Sequence, residues 1–245
     1  MATTCFVRII TAMAYTKRFI ISFGGSLIST PDGVAIDFLQ NFSALLRQTI
    51  QDHPDWQIFL VTGGGYVCRQ YQAAVQALLP SATDLEKDWM GIYTTRFHAH
   101  FMQLAFQDIA HEKIIEDYAQ KQEASEQLVI ASGWHPGTST DMDAVLLAEQ
   151  YEATVAINLS NIAYVYDKDP KQFPDAKRIE HMTWNELRAI VGDTWSPGLN
   201  TPFDPIAAKK AQELGLTVIV AEGKNLENVQ HILNAEAYVG TTITP

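Results

Sequence analysis

Five short runs of almost uninterrupted apolar residues, at 19–23, 57–62, 127–131, 154–158 and 217–221, constrain the fold of this chain more than anything else in it. They are rich in β-branched residues and bounded mostly by glycine or polar turns. Apolar character that does not alternate marks strands covered on both faces. Between them lie helical patterns at 36–50, 67–79, 96–108, 141–150, 184–191 and 205–214. Strand and helix alternating in this way predict a three-layer α/β/α sandwich around a largely parallel central sheet. No repeat, low-complexity tract or linker interrupts the pattern, and 245 residues can bury one good core. The segments 79–90 and 193–205 read as irregular, mobile loops, and 239–245 as a short closing strand.

The composition narrows the class of partner. With 47% apolar and 18% charged residues the chain has an ordinary globular makeup. No apolar run approaches the roughly 20 residues that span a bilayer. Residues 1–16 carry no basic start or long apolar stretch, so they read as a flexible N-terminal extension rather than a secretory signal. The folded domain is expected over 17–245. Two cysteines, Cys5 and Cys68, without metal-ligand spacing, suit a reduced cytoplasmic compartment. A net charge of −11 argues against nucleic-acid or anionic-membrane binding, but leaves small anionic substrates open.

Three strands end in donor-rich turns. The first runs into Gly24-Gly25-Ser26, and the second into Gly63-Gly64-Gly65 with Arg69 one turn into the next helix. Glycines there are read as letting a ligand approach the backbone. The third turn, within 131–149, leads into a helix opening with Ser139-Thr140-Asp141, whose free amides suit a phosphate or a sugar. Open α/β sheets bind ligands at such strand ends. Neither glycine cluster fits the P-loop or the dinucleotide pattern. A fourth segment, 159–176, carries Tyr164 and Tyr166, which either flank a base or pack a hairpin on the sheet edge. In the fifth, Asp204 reads as an N-cap, with Pro205 at the first helical position and Lys209 one turn further. His98 and His100, two apart on a helix, point in different directions, and no metal site is expected.

Taken in order, these segments resemble the amino acid kinase family, and within it the archaeal-type uridylate (UMP) kinases. The likeness rests on Gly24-Gly25-Ser26, on Thr62-Gly63-Gly64-Gly65 with Arg69, and on the runs 88–91 and 95–96. It continues through His135-Pro136-Gly137-Thr138-Ser139-Thr140-Asp141, the runs 165–170 and 204–209, and the closing Gly240-Thr241-Thr242-Ile243. The resemblance implies an acceptor lobe over about 17–150 and an ATP lobe over about 151–245. It places UMP against Gly63, Gly64, Asp88, Thr95 and the loop Gly133, Trp134, His135, Pro136, Gly137, Thr138, Ser139 and Thr140. Gly25, Ser26, Gly65, Arg69, Ser160, Asn161, Tyr166 and Asp169 would serve ATP. Lys209 would contact phosphates, while Asp141 and Asp204 would organise the donors, with ATP and Mg²⁺ as cofactors. A UMP oxygen would then attack the γ-phosphorus in line, without a covalent enzyme intermediate. A homo-oligomer, commonly a hexamer, is implied as well.

The chain departs from the family pattern at several positions. Ser22 stands where many members carry a lysine, Tyr66 replaces a lysine after the triple glycine, and Ala163-Tyr164 replaces an Asp-Gly turn. His98 replaces an asparagine, and Trp134 is bulkier than the usual residue of the acceptor loop. Two alternatives follow: a kinase of the same fold acting on another small phosphate or carboxylate, or a non-catalytic binding or storage member.

Overall fold

The computed structural model describes residues 15–194 and 201–245. Most of the expected N-terminal extension, and residues 195–200 of the 193–205 loop, lie outside the described residues. Tyr15 and Thr16 are fastened to the domain: Tyr15 Oη donates to Ser125 O at 2.5 Å, and Thr16 N to Asp55 O at 2.9 Å.

Strand β1 (Lys17–Phe23) leads through a single 3-10 turn and the hairpin β2 (Ser29–Thr30) and β3 (Gly33–Val34) to helix α1 (Ile36–Asp52). There follow β4 (Trp56–Thr62), α2 (Gly65–Leu78), α3 (Asp84–Ala105), β5 (Leu128–Ala131), α4 (Thr140–Gln150) and β6 (Val155–Ser160). The remainder runs β7 (Val165–Tyr166), β8 (Arg178–Ile179), β9 (His181–Thr183), α5 (Trp184–Val191), α6 (Pro205–Glu213), β10 (Thr217–Glu222), α7 (Leu226–Leu233) and β11 (Thr241–Thr244).

All five expected strands form, mutually parallel, in the order β5-β4-β1-β6-β10. The closing strand also forms, as β11, antiparallel to β10, and β9 completes the edge. Continuous apolar runs are explained by a core on each face. Ile20, Phe59, Val61 and Val129 join Val145, Trp184 and Val218 on one side. Phe19, Ile21, Phe23, Ile58 and Leu60 join Phe42, Leu46 and Val229 on the other. Each such buried side chain contributes about 1.5–3 kcal/mol of burial energy. The sandwich is therefore three-layered, and no helix among the described residues is long and apolar enough to cross a membrane.

Two expectations need correction. Residues 79–90 are not an irregular loop throughout, because α3 begins at Asp84, twelve residues before the expected start at 96, and stops at Ala105. Thr83 and Glu86 form a capping box: Thr83 N donates to Glu86 Oε2 at 2.8 Å, and Glu86 N to Thr83 Oγ1 at 3.3 Å. The helical period is masked because the buried face carries Thr94, Thr95 and His98, while Tyr93, Phe97 and Leu104 face outward. Helix α7, with Val229, Ile232 and Leu233 buried, was absent from the expected pattern.

Strand β1 pairs with β4 on one side and β6 on the other, so Phe23 lies beside both Thr62 and Leu159. The connections leave in opposite directions from that point, opening a crevice beyond the strand ends. The turns after β1, β4, β5 and β6 all converge there.

Candidate active site

The glycine turns after β1 and β4 lock into each other. A Cβ on Gly25 would lie 2.1 Å from Gly65 N, and one on Gly65 would lie 2.2 Å from Gly25 O. A Cβ on Gly63 would meet Gly25 N at 2.6 Å, and Gly65 also holds a φ of +65°. The contact of backbone against backbone by itself requires glycine at these positions. The buried His98 supports the turn from behind: its Nδ1 lies 2.7 Å from Gly63 O, and since a carbonyl only accepts, this nitrogen carries the proton. Burial pushes its pKa below the usual histidine value, which favours the neutral ring.

On one side of the interlocked turns lies a cavity of about 490 Å³ between α2, α3 and the loop after β5. Gly64, Gly65, Arg69, Asp88, Thr95, Gly133 and Thr138 line it, as do Ser26 and Asp143. Thr95 Oγ1 accepts from Gly133 N at 2.8 Å and donates to Ile92 O at 2.7 Å, fixing the start of the loop. Asp88 Oδ2 accepts from Gly137 N at 2.7 Å, which ties the crown of the loop to α3. Burial raises the Asp88 pKa, opposed by that backbone bond.

Only the ends of the 133–140 loop face this cavity. Trp134, His135, Pro136 and Gly137 are not part of its lining. Trp134 turns toward the core and packs its ring 5.8 Å from that of Tyr118, while its carbonyl accepts from Arg96 Nη2 at 3.1 Å. His135 Nδ1 bonds Pro136 O at 2.8 Å. The bulk of Trp134 therefore does not fill the smaller cavity, and His98 touches the turn through the Gly63 carbonyl.

A larger cavity of about 840 Å³ opens on the other side, toward β6 and the 161–171 segment. Gly25, Gly63, Ser160, Asn161, Tyr166 and Asp169 line it, together with Tyr164, Lys168 and Lys171. Ser26, Gly65 and Arg69, expected to serve ATP, line the smaller cavity instead. Tyr166 pairs with Arg178 between the antiparallel strands β7 and β8, and Tyr164 and Tyr166 line the larger cavity. Asp169 organises the segment, since its carboxylate accepts from Lys171 N at 2.9 Å and Gln172 Nε2 at 2.8 Å. These bonds hold its pKa below the usual range.

The two cavities share Gly64, Ser139, Thr140 and Asn161. Ser139 caps α4 by accepting from Met142 N at 3.2 Å, so the unpaired first-turn amides of that helix stand where the cavities meet. Just inside, Asp141 Oδ1 accepts from Ser22 Oγ and Asn158 Nδ2, both at 3.0 Å, and Oδ2 from Asp204 N at 3.1 Å. Burial, and next the Asp204 charge, push the Asp141 carboxyl up to about 7. Asp204 caps α6 through Ala207 N at 2.7 Å and reaches the site only through Asp141.

Lys209 is not brought to the site. It is exposed on α6 and lines neither cavity, because Ala207, Ala208 and Ala211 take the buried face of that helix. Neighbouring Lys210 is paired with Glu149 at 2.7 Å. The cations beside the larger cavity are Lys168 and Lys171, which attracted no notice in the sequence beyond their place in the 165–170 run and its continuation. Sequence reasoning also passed over Asn158, a polar residue inside an apolar strand, and Asp143, an acid on the buried face of α4.

The geometry thus offers two cavities meeting at a helix N-terminus, on the strand-end crevice of a parallel sheet. The profile of the amino acid kinase family matches residues 17–222. The chain belongs to the amino acid kinase family. Among curated relatives of this kinase, the uridylate kinase of Thermococcus onnurineus is 30% identical over 232 residues, covering 93% of this chain and 100% of its own. That of Thermococcus sibiricus is 32% identical over 198 residues, covering 80% and 85%. The crystal structure of the Archaeoglobus fulgidus uridylate kinase superposes with a TM-score of 0.77 at 30% identity, covering 93% of this chain and 100% of that one. The Ureaplasma parvum UMP kinase, at 18% identity and a TM-score of 0.73, shares the fold.

Proposed function

We propose that this amino acid kinase phosphorylates UMP to UDP with ATP, by direct in-line transfer. One observation carries the reading: an acceptor-sized and a donor-sized cavity share Gly64, Ser139, Thr140 and Asn161, so two phosphates can meet over a helix N-terminus. Uridylate kinases that align over 80% and 93% of the chain support UMP as the acceptor.

The smaller cavity takes UMP. Arg69 and the Gly64–Gly65 turn hold its phosphate, and Asp88 accepts from ribose hydroxyls, the role of an ionised carboxylate. The larger cavity takes ATP, with Tyr164 and Tyr166 flanking the base and Lys168 and Lys171 near the phosphates. In this reading 17–150 form the acceptor lobe and 151–245 the donor lobe. Magnesium fits beside Asp141, whose carboxyl borders the donor cavity and sheds its proton more readily near a positive charge. When bound with ATP, the ion supplies charge neutralisation on the transferring phosphoryl group. The protein contributes alignment through the Gly64 turn and the α4 amides, and no side chain needs to form a covalent bond.

An ADP-release assay with UMP, CMP and other small phosphate or carboxylate acceptors tests the reading. UMP should give the highest kcat/KM; a better acceptor of another class would replace uridylate, and nucleotide binding with no turnover on any acceptor would favour a storage role. The outward aromatic residues of α3, with Phe97 68% exposed and Tyr93 57%, support a homo-oligomer built on that helix.

A further inference from the structure

Asp143 is the acidic residue the proposed chemistry leaves unused. It is fully buried, it lines the smaller cavity, and neither carboxyl oxygen has a hydrogen-bond partner. Among the described residues no other aspartate or glutamate has both oxygens buried and unpartnered. Its neighbours at the cavity are the Thr138 side chain and the Trp134 backbone, both from the loop after β5, but their geometry falls short of a hydrogen bond. A buried carboxyl without a partner costs stability. A leucine or valine on the same helical face would pack without that cost, so the group is kept for something that arrives.

The charges around Asp143 say what part of the acceptor arrives there. Among the described residues, Arg69 is the only cation lining this cavity. A phosphate placed against Asp143 would meet a second acidic group, with Asp88 and Asp141 close enough to add to the repulsion. The surroundings of Asp143 therefore suit an uncharged group that offers a hydrogen-bond donor. A uracil ring has one such donor on its edge, the N3–H, and a carboxyl oxygen accepts from it whether or not the acid is protonated.

We propose that Asp143 is a specificity-determining residue of the acceptor pocket, its carboxyl oxygen receiving the N3–H of the pyrimidine. The inference rests on the uridylate reading above and adds to it the contact that reads the base. A site built to pair a donor rejects an analogue that lacks it, because the buried acceptor is then left alone.

The test uses the full-length protein and measures kcat and KM for UMP and for 3-deaza-UMP, in which a C–H replaces the N3–H. Wild type and Asp143→Asn, which retains an acceptor oxygen, should prefer UMP by about ten- to a hundredfold in kcat/KM. Asp143→Leu and Asp143→Ala should raise the KM for UMP and treat both acceptors alike, with kcat changed by less than about threefold. The preference is a ratio within each variant, so partial loss of folded protein does not alter it, and alanine serves if leucine fails to fold. A wild-type enzyme that turns over UMP, with the preference intact in the leucine or alanine variant, overturns the Asp143 contact and leaves the uridylate reading standing. No turnover of UMP by the wild type overturns both.

Discussion

Asp141 ties three elements together at the site, taking hydrogen bonds from Ser22 on β1, Asn158 on β6 and the Asp204 backbone ahead of α6. Its carboxyl is raised from 3.8 to about 7, so between those values the folded protein keeps a proton that the unfolded chain has lost. Stability must then fall as the pH rises through this window. Asp141→Asn removes that contribution, and a plot of Tm against pH should become flatter between about pH 4 and 7. An unchanged slope would mean the carboxyl is ionised throughout. Gly65 offers a second residue-scale test. With φ at +65° and a Cβ that would sit 2.2 Å from Gly25 O, Gly65→Ala should cost at least about 2 kcal/mol in urea unfolding. Gly137 has φ at +88° but open space around it, so Gly137→Ala should cost about 1 kcal/mol.

At the scale of the element, α3 shows why the site was only partly legible beforehand. It carries Asp88 and Thr95 into the smaller cavity, yet its inner face mixes Thr94, Thr95 and His98 with Ile92, Ala99 and Met102, while Tyr93, Phe97 and Leu104 face outward, which blurs the usual helical pattern. The capping box Thr83–Glu86 was the one local signal of its true start. Thr83→Ala should cost about 1 kcal/mol and, by fraying the turn that holds Asp88, raise the KM for UMP while leaving kcat nearly unchanged. Equal KM values would show that Asp88 is held by Gly137 alone. The aromatic outer face makes a separate prediction: Phe97→Glu should lower the mass measured by light scattering to that of a smaller assembly. Helix α6 teaches the opposite lesson. Its N-cap and proline were plain in the sequence, but which side of it Lys209 would occupy depended on the core that Ala207 and Ala208 pack against.

For the molecule as a whole, the decisive feature is that the two cavities share Gly64, Ser139, Thr140 and Asn161 in their walls. A dinucleotide joining adenosine and uridine through five phosphates should therefore raise Tm by more than ATP or UMP alone at equal concentration, since the second half binds as an intramolecular step. Additive or smaller shifts would mean the cavities are not filled together. The sequence alone determined the three-layer fold and the strand ends around which the cavities open, because the local period of apolar residues reports the burial of each strand and the turn residues report where each ends. Only the tertiary structure decided the rest. It turned Trp134 away from the smaller cavity and Lys209 out to solvent, made the glycines a turn-to-turn contact, and set Asp143 unpaired in the wall of that cavity. Those outcomes depend on which distant residues meet across the crevice, and no run of neighbouring residues records such a meeting.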